Sequence, residues 1–140
     1  EAVVEGVLVQ QMLPAGVETI VGVTKDPVFG PTVMFGLGGI LVETLEDVSF
    51  RVCPVSSDDA TQMIRELKGA RILSGLRGRP AADVGALTDI ILRVSQLAMD
   101  FADVIDELDI NPLIVYPKGA RAADALVVKR GDGRVSRLDD

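Results

Sequence analysis

Asp109-Ile110-Asn111-Pro112-Leu113, and Asp124 thirteen residues beyond Asn111, carry the side chains best suited to chemistry. Side chains alternate along an extended strand, so Asp109 and Asn111 point to one face. Pro112 has no N–H to offer and is expected to break the ladder just after them. A second strand, Arg121 to Val128, returns across the Pro117-Lys118-Gly119-Ala120 turn and brings Asp124 alongside. Two or three hard oxygen donors then share one patch of sheet. Mg²⁺ that arrives with a nucleotide takes one or two carboxylates and leaves its other positions to water and phosphate, so the chemistry implied is phosphoryl transfer. Asp106, Glu107 and Asp109 also crowd a strand shared with Ile105, Leu108 and Ile110, and like charges this close repel unless a cation compensates them. The competing reading is an ordinary hairpin with Asn111-Pro112 as a turn former. Spacing alone leaves both readings open.

Three further patterns bear on phosphate and nucleotide. Gly36-Leu37-Gly38-Gly39 follows a strand but precedes an apolar run rather than a helix, and matches neither the dinucleotide fingerprint nor the P-loop. Its glycines suit close approach of backbone N–H groups to phosphate, or equally a tight turn. Arg77-Gly78-Arg79 is either a bidentate anion site or a solvated connector. Gln10-Gln11-Met12-Leu13, followed by Glu18, has the character of an edge strand that holds an adenine, with a carboxylate placed to accept from ribose hydroxyls.

The elements that must position these residues follow from periodicity. Strands are expected at Val7 to Leu13, Glu18 to Thr24, Thr32 to Phe35 and Val48 to Val52, with a short apolar run from Ile40 to Leu45. Ser56-Ser57-Asp58-Asp59 offers N-caps to a helix whose stripe is Ala60, Met63, Ile64 and Leu67 and which Gly69 ends. A longer helix runs from about Asp83 to Ala102, with Leu87, Ile90, Ile91, Val94, Leu97, Ala98 and Phe101 on one face. A hairpin of Val104 to Tyr116 and Arg121 to Val128 closes the order. Strands grouped apart from helices predict an α+β domain: a largely antiparallel sheet with two helices packed on it, over residues 1–130. Residues 131–140 are read as a polar tail.

Composition narrows the partners. The chain has 140 residues, 48% of them apolar, enough for one domain with a core. Its 21 acidic against 14 basic residues argue against a nucleic-acid backbone as ligand. There is no histidine, which removes His-activated nucleophiles and His-ligated metals from these residues. The lone Cys53 lies in an apolar run and reads as a core residue, in keeping with a reducing cytoplasm. No apolar run approaches the ~20 residues that span a bilayer. The chain opens directly into a strand, which reads as a cut domain.

Together, in order, several strings resemble one family: Gly16-Val17-Glu18-Thr19-Ile20-Val21-Gly22-Val23, Asp26-Pro27-Val28-Phe29-Gly30-Pro31, Phe35-Gly36-Leu37-Gly38-Gly39, Glu43, Asp47-Val48-Ser49-Phe50-Arg51, Leu76-Arg77-Gly78-Arg79-Pro80 and Glu107-Leu108-Asp109-Ile110-Asn111-Pro112-Leu113. They look like the ATP-grasp domain of ADP-forming (NDP-forming) acyl-CoA synthetases, and more distantly like the succinyl-CoA synthetase β subunit. The resemblance implies the C-terminal lobe of that domain, with the N-terminal lobe and its phosphate-holding Lys lying elsewhere. It implies Mg²⁺ on Asn111 and Asp124, and Asp109 as the acidic residue that helps phosphoryl transfer to and from a histidine, where many relatives carry Glu. Gln10, Gln11, Met12 and Leu13 match the adenine-contacting hinge strand, Glu18 the ribose contact, and Gly38 and Gly39 a loop facing the phosphate-transfer region. The implied reaction is acyl-CoA + ADP + phosphate ⇌ acid + ATP + CoA. Its relay histidine must come from a CoA-ligase (α-type) domain or subunit. The alternative carried by the same resemblance is a regulatory synthetase-like module fused to a GNAT acetyltransferase.

Overall fold

In the computed structural model the chain is described at residues 6–7, 9–39, 47–75, 78, 80–131 and 135–137. Strands β1 (Val17–Asp26), β2 (Gly30–Leu37) and β3 (Val48–Val52) come first. Helix α1 (Ser57–Glu66), a 3₁₀ turn (Ala70–Ser74) and helix α2 (Val84–Asp100) follow, and then strands β4 (Ile105–Val115), β5 (Ala120–Ala122), β6 (Ala125–Lys129) and β7 (Val135–Arg137). The strands form one sheet in the order β3-β2-β1-β4-β6-β7, with β5 paired to β4, and all pairings are antiparallel. The α+β arrangement read from the sequence is the one observed.

Alternation on β1 decides the two faces. Val21 and Val23 join Val33, Phe35 and Leu37 of β2 in a core covered by Ala60, Met63 and Ile64 of α1 and by Leu87, Ile91, Val94 and Ala98 of α2. Glu18, Ile20 and Gly22 therefore face away from the helices. Each helix starts where a side chain satisfies its free N–H groups. Ser56 and Asp59 form a reciprocal capping box at α1. Asp83 caps α2 by accepting from Ala86 N (3.0 Å), while its other oxygen accepts from Gly119 N (2.8 Å) and so ties the helix to the turn after β4. Those contacts, Gly119 first, hold the Asp83 carboxyl below its ordinary value.

Several expectations change. Residues 7 and 9–13 form no strand: both edges of β1 are already taken by β2 and β4. Val7, Val9 and Met12 are 89%, 89% and 91% exposed, so this backbone is left to water. Pro112 does not end its strand; β4 runs on to Val115. The missing N–H is absorbed by a bulge against β1, where register passes from Val21↔Ile110 to Thr19↔Leu113. The return strand is split into β5 and β6, yet Leu113↔Ala122 and Ile110↔Ala125 keep a single register. Val135–Arg137, expected as tail, pairs with the outer edge of β6, whose backbone groups would otherwise lack partners. The run Ile40 to Leu45 lies outside the described residues, as do Leu76, Arg77 and Arg79.

Asp47, just before β3, is 4% exposed. Its two oxygens accept from Lys68 N (2.8 Å) and Gly69 N (2.7 Å), where the chain leaves α1. Gly69 is pressed so close to β2 that a Cβ there would lie 2.5 Å from Leu37 Cδ1. The carboxylate thus fixes the exit of α1 against the sheet. Asp47→Ala leaves two part-buried N–H groups without their charged acceptor and should lower the unfolding free energy by about 1–3 kcal/mol in denaturant titration. A loss below about 0.5 kcal/mol would mean that water takes over the carboxylate's place.

Candidate functional site

Asp109, Asn111 and Asp124 meet at the β1-facing bulge of β4. Asn111 stands opposite Asp124 in the register of the return strand, and its N–H donates to the Asp124 carbonyl oxygen (3.2 Å). The Asp109 carboxyl is half-buried, while Asn111 and Asp124 are exposed. Burial pushes Asp109 above the ordinary carboxylate range; a hydrogen bond with the Asn111 side chain opposes the rise, and the like charge of Asp124 adds to it. Asp124 Oδ1 accepts from the N–H of Ala125 (2.9 Å). The hairpin therefore brings two carboxylates and a side-chain amide together. Among the described residues no group of three or more His, Cys, Asp or Glu is placed to hold a metal. The donor set that fits a hard cation is the mixed one, two carboxylates with an amide, in which a cation would offset the burial that raises Asp109 and the like charge of Asp124 beside it.

Glu18, Gly38 and Gly39 form a second cluster on the same sheet. Gly38 N donates to Glu18 O (2.8 Å), so that N–H is engaged within the fold and is not free for a phosphate. Gly39 has φ +66°, and a Cβ there would lie 3.4 Å from Glu18 Oε2. The Glu18 side chain is exposed. Gln10 and Gln11 are exposed as well, with Leu13 half-buried. Arg121 Nη1 donates to Gln11 Oε1 at 3.5 Å, and Tyr116 Oη donates to Pro14 O at 3.2 Å, which lays this segment along the β4–β5 end of the sheet. The two clusters share β1: Glu18 is opposite Ile114, and Gly22 is opposite Asp109. Four residues of strand separate them, about 13 Å at a strand's rise.

Gly22 was not singled out by the sequence reading. A Cβ there would sit 3.3 Å from Leu108 O, 3.3 Å from Met34 Cε and 3.8 Å from Asp109 Oδ1. A glycine inside the alternating run Val21-Gly22-Val23 was the available signal, since such a position marks close approach. Met34 pairs with Phe50 across β2 and β3, and Phe50 is half exposed, so the face away from the helices is apolar toward β3 and acidic toward β4.

A family model for the ATP-grasp domain matches residues 1–128. This chain belongs to the ATP-grasp domain family. It is 52% identical over 123 residues to the β subunit of ADP-forming acetate–CoA ligase I of Pyrococcus furiosus, covering 88% of the chain and 53% of that subunit. It is 49% identical over 128 residues to ADP-forming acetate–CoA ligase I of Archaeoglobus fulgidus, covering 91% of the chain and 18% of that enzyme. Among solved structures it resembles acetyl-coenzyme A synthetase 1 of Ca. Korarchaeum cryptofilum in complex with coenzyme A and Mg-AMPPCP, its phosphohistidine segment pointing towards the nucleotide binding site. That match has a TM-score of 0.80 at 47% identity and covers 84% of the chain and 55% of the other. The ATP-grasp domain here thus spans about half the length of the β subunit it matches.

The raised Asp109 carboxyl has a direct test in this domain. A carboxyl whose folded value lies above its unfolded value costs the fold nothing when both states are protonated. It costs progressively more as pH climbs from the unfolded value near 3.9 through the folded one. Asp109→Asn should therefore raise the melting temperature at pH 7 in Mg²⁺-free buffer, with the gain vanishing as pH falls below about 4. A gain that persists unchanged at low pH would show that packing, not charge, is responsible.

Proposed function

We propose that this domain is the nucleotide- and Mg²⁺-holding lobe of an ADP-forming acyl-CoA synthetase, which interconverts acyl-CoA, ADP and phosphate with the free acid, ATP and CoA. The observation that carries the reading is the Asp109–Asn111–Asp124 cluster, on the sheet face turned away from α1 and α2 in an ATP-grasp domain whose relatives are named as ADP-forming acetate–CoA ligases. Asn111 and Asp124 hold Mg²⁺ through their side-chain oxygens; when bound, the ion offsets the negative charge of the nucleotide phosphates. Glu18 accepts from the ribose hydroxyls, and Gln10 to Leu13 line the adenine. Gly38 and Gly39 shape the loop beside the ribose on the way to the phosphates.

Asp109 has a different task from its two neighbours. With no histidine in the chain, the relay imidazole comes from a CoA-ligase (α-type) domain or subunit. Asp109 accepts an N–H of that imidazole and holds it in line with the terminal phosphoryl group. A carboxyl raised by burial and standing beside a second carboxylate is stabilised most by an approaching cation or donor, which the Mg²⁺ and the imidazole of this reading would supply. Phosphate contacts beyond these belong to the N-terminal lobe of the ATP-grasp pair. Cys53 is a buried free thiol, in keeping with a reducing cytoplasm as the setting of the reaction. Among the described residues no helix is long and apolar enough to cross a membrane.

In the complete synthetase, Asn111→Ala and Asp124→Ala should each reduce CoA-dependent ATP formation by about 10²–10³-fold, the scale of losing one fixed electrostatic contact to a reacting phosphoryl group. Both side chains are exposed, so the melting temperature should stay close to that of the parent. Full activity in the double variant would overturn the assignment.

A further inference from the structure

Gly38 continues the β1–β2 ladder one residue past its last assigned pair. Thr19 is opposite Leu37, and the bond from Gly38 N to Glu18 O (2.8 Å) puts Gly38 opposite Glu18. Facing residues of an antiparallel pair ordinarily hold their Cβ atoms about 4.5–5.5 Å apart. Here a Cβ on Gly38 would lie 2.9 Å from Glu18 Cβ, 2.9 Å from Glu18 C and 3.1 Å from Glu18 O. Two of those three atoms are backbone, so a methyl group could be admitted only by moving β1 or the loop. Gly39 then turns through φ +66° and passes beside the Glu18 carboxylate, with a would-be Cβ 3.4 Å from Oε2. On the other side of β1, Glu18 is opposite Ile114, itself pressed by Gly16, where a Cβ would sit 2.6 Å from Ile114 Cγ2. Glu18 is confined from both sides although its side chain is exposed.

We infer that Gly38 is a positioning residue for Glu18, and that this pair sets the discrimination between ribonucleotides and 2′-deoxyribonucleotides. The inference rests on the proposed reading of Glu18 as the ribose contact. A charged hydrogen bond to a hydroxyl is geometrically demanding, and its acceptor is useful only where the hydroxyl stands. The Gly38 amide is spent on Glu18 O, so the glycine acts on the nucleotide through Glu18 and not by cradling phosphate.

The test compares KM for ADP with KM for 2′-deoxy-ADP, in the complete synthetase making ATP. Glu18→Ala should erase about a tenfold preference for ADP, the value of one charged hydrogen bond. Gly38→Ala should erase most of the same preference, and in the Glu18→Ala background it should change the ratio no further. A Gly38→Ala effect confined to stability would leave the ratio intact. If Gly38→Ala does not fold, Gly39→Ala, at an exposed position, reads the same ratio through the Glu18 rotamer. A preference retained in Glu18→Ala would sink the ribose reading itself. A preference lost in Glu18→Ala but kept in the glycine variants would overturn the positioning role alone.

Discussion

Gly22 of β1 stands opposite Asp109 of β4, and Glu18 opposite Ile114, because these two central strands pair in a register set by their buried sides. Leu108, Ile110, Leu113 and Val115 of β4 meet Val23, Val21, Thr19 and Val17 of β1, and that is the side covered by the helices. In a regular strand Ile110 and Leu113, three apart, would point to opposite faces. The bulge at Asn111-Pro112 removes the conflict by setting both residues against Ile20 alone. One hydrophobic requirement thus has two results: a continuous core, and an Asn pushed out of the ladder next to Asp109 and opposite Asp124. Thr19 Oγ1 donating to Leu113 O at 2.9 Å, fully buried, pins the register just beyond the irregularity.

The electrostatics of the rest of the domain make this cluster stand apart. In an acidic chain, the carboxylates that serve the fold are given partners that favour their charged form. Asp26 accepts from Phe29 and Val28 in the β1–β2 turn, Asp59 from Ser56 at the start of α1, and Asp83 from Gly119 and Ala86, and all three are held below their ordinary values. Glu66 is held low by the two-pronged contact with Arg51, at 2.8 and 2.9 Å, which ties α1 to β3. Asp109 moves the other way. Among the described residues it is the one carboxyl whose resolved shift is upward, and it sits on the face turned away from α1 and α2. Perturbation of this kind, where fold contacts would have been easy to supply, is characteristic of groups placed for a ligand.

Much of this was legible in the sequence, for identifiable reasons. The helical stripes of α1 and α2 are long and regular, and Ser56 and Asp83 carry side chains suited to a helix start. The meeting of Asp109, Asn111 and Asp124 followed from a hairpin with a strong turn signal. What could not be read were effects of neighbours. Residues 7 and 9–13 alternate like a strand, but pairing needs a free edge, and β1 has none. Pro112 has the local character of a strand end, since it lacks the N–H of a ladder residue, and only the bulge against β1 absorbs the loss. Asp47 gave no local sign that it would be enclosed by the exit of α1, since its partners Lys68 and Gly69 lie more than twenty residues away.

The cost of the arrangement falls on Asp109 and is borne by everything around it. A residue at position 22 with a side chain would press on Leu108 O and Met34 and cover the carboxylate further, so the glycine preserves what solvation Asp109 has. A strained or repelling group persists only where its surroundings over-determine its position. Here they do: β1 is paired along both edges, Thr19 locks β4 beyond the bulge, and Asp83 anchors the turn that returns the chain toward Asp124. Among the described carboxyls with a resolved shift Asp109 alone is raised, and a local exception of this kind is where function is most economically sought. Asp109 thus differs from the carboxylates that serve the fold: burial raises it, whereas backbone N–H donors hold Asp26 and Asp83 low.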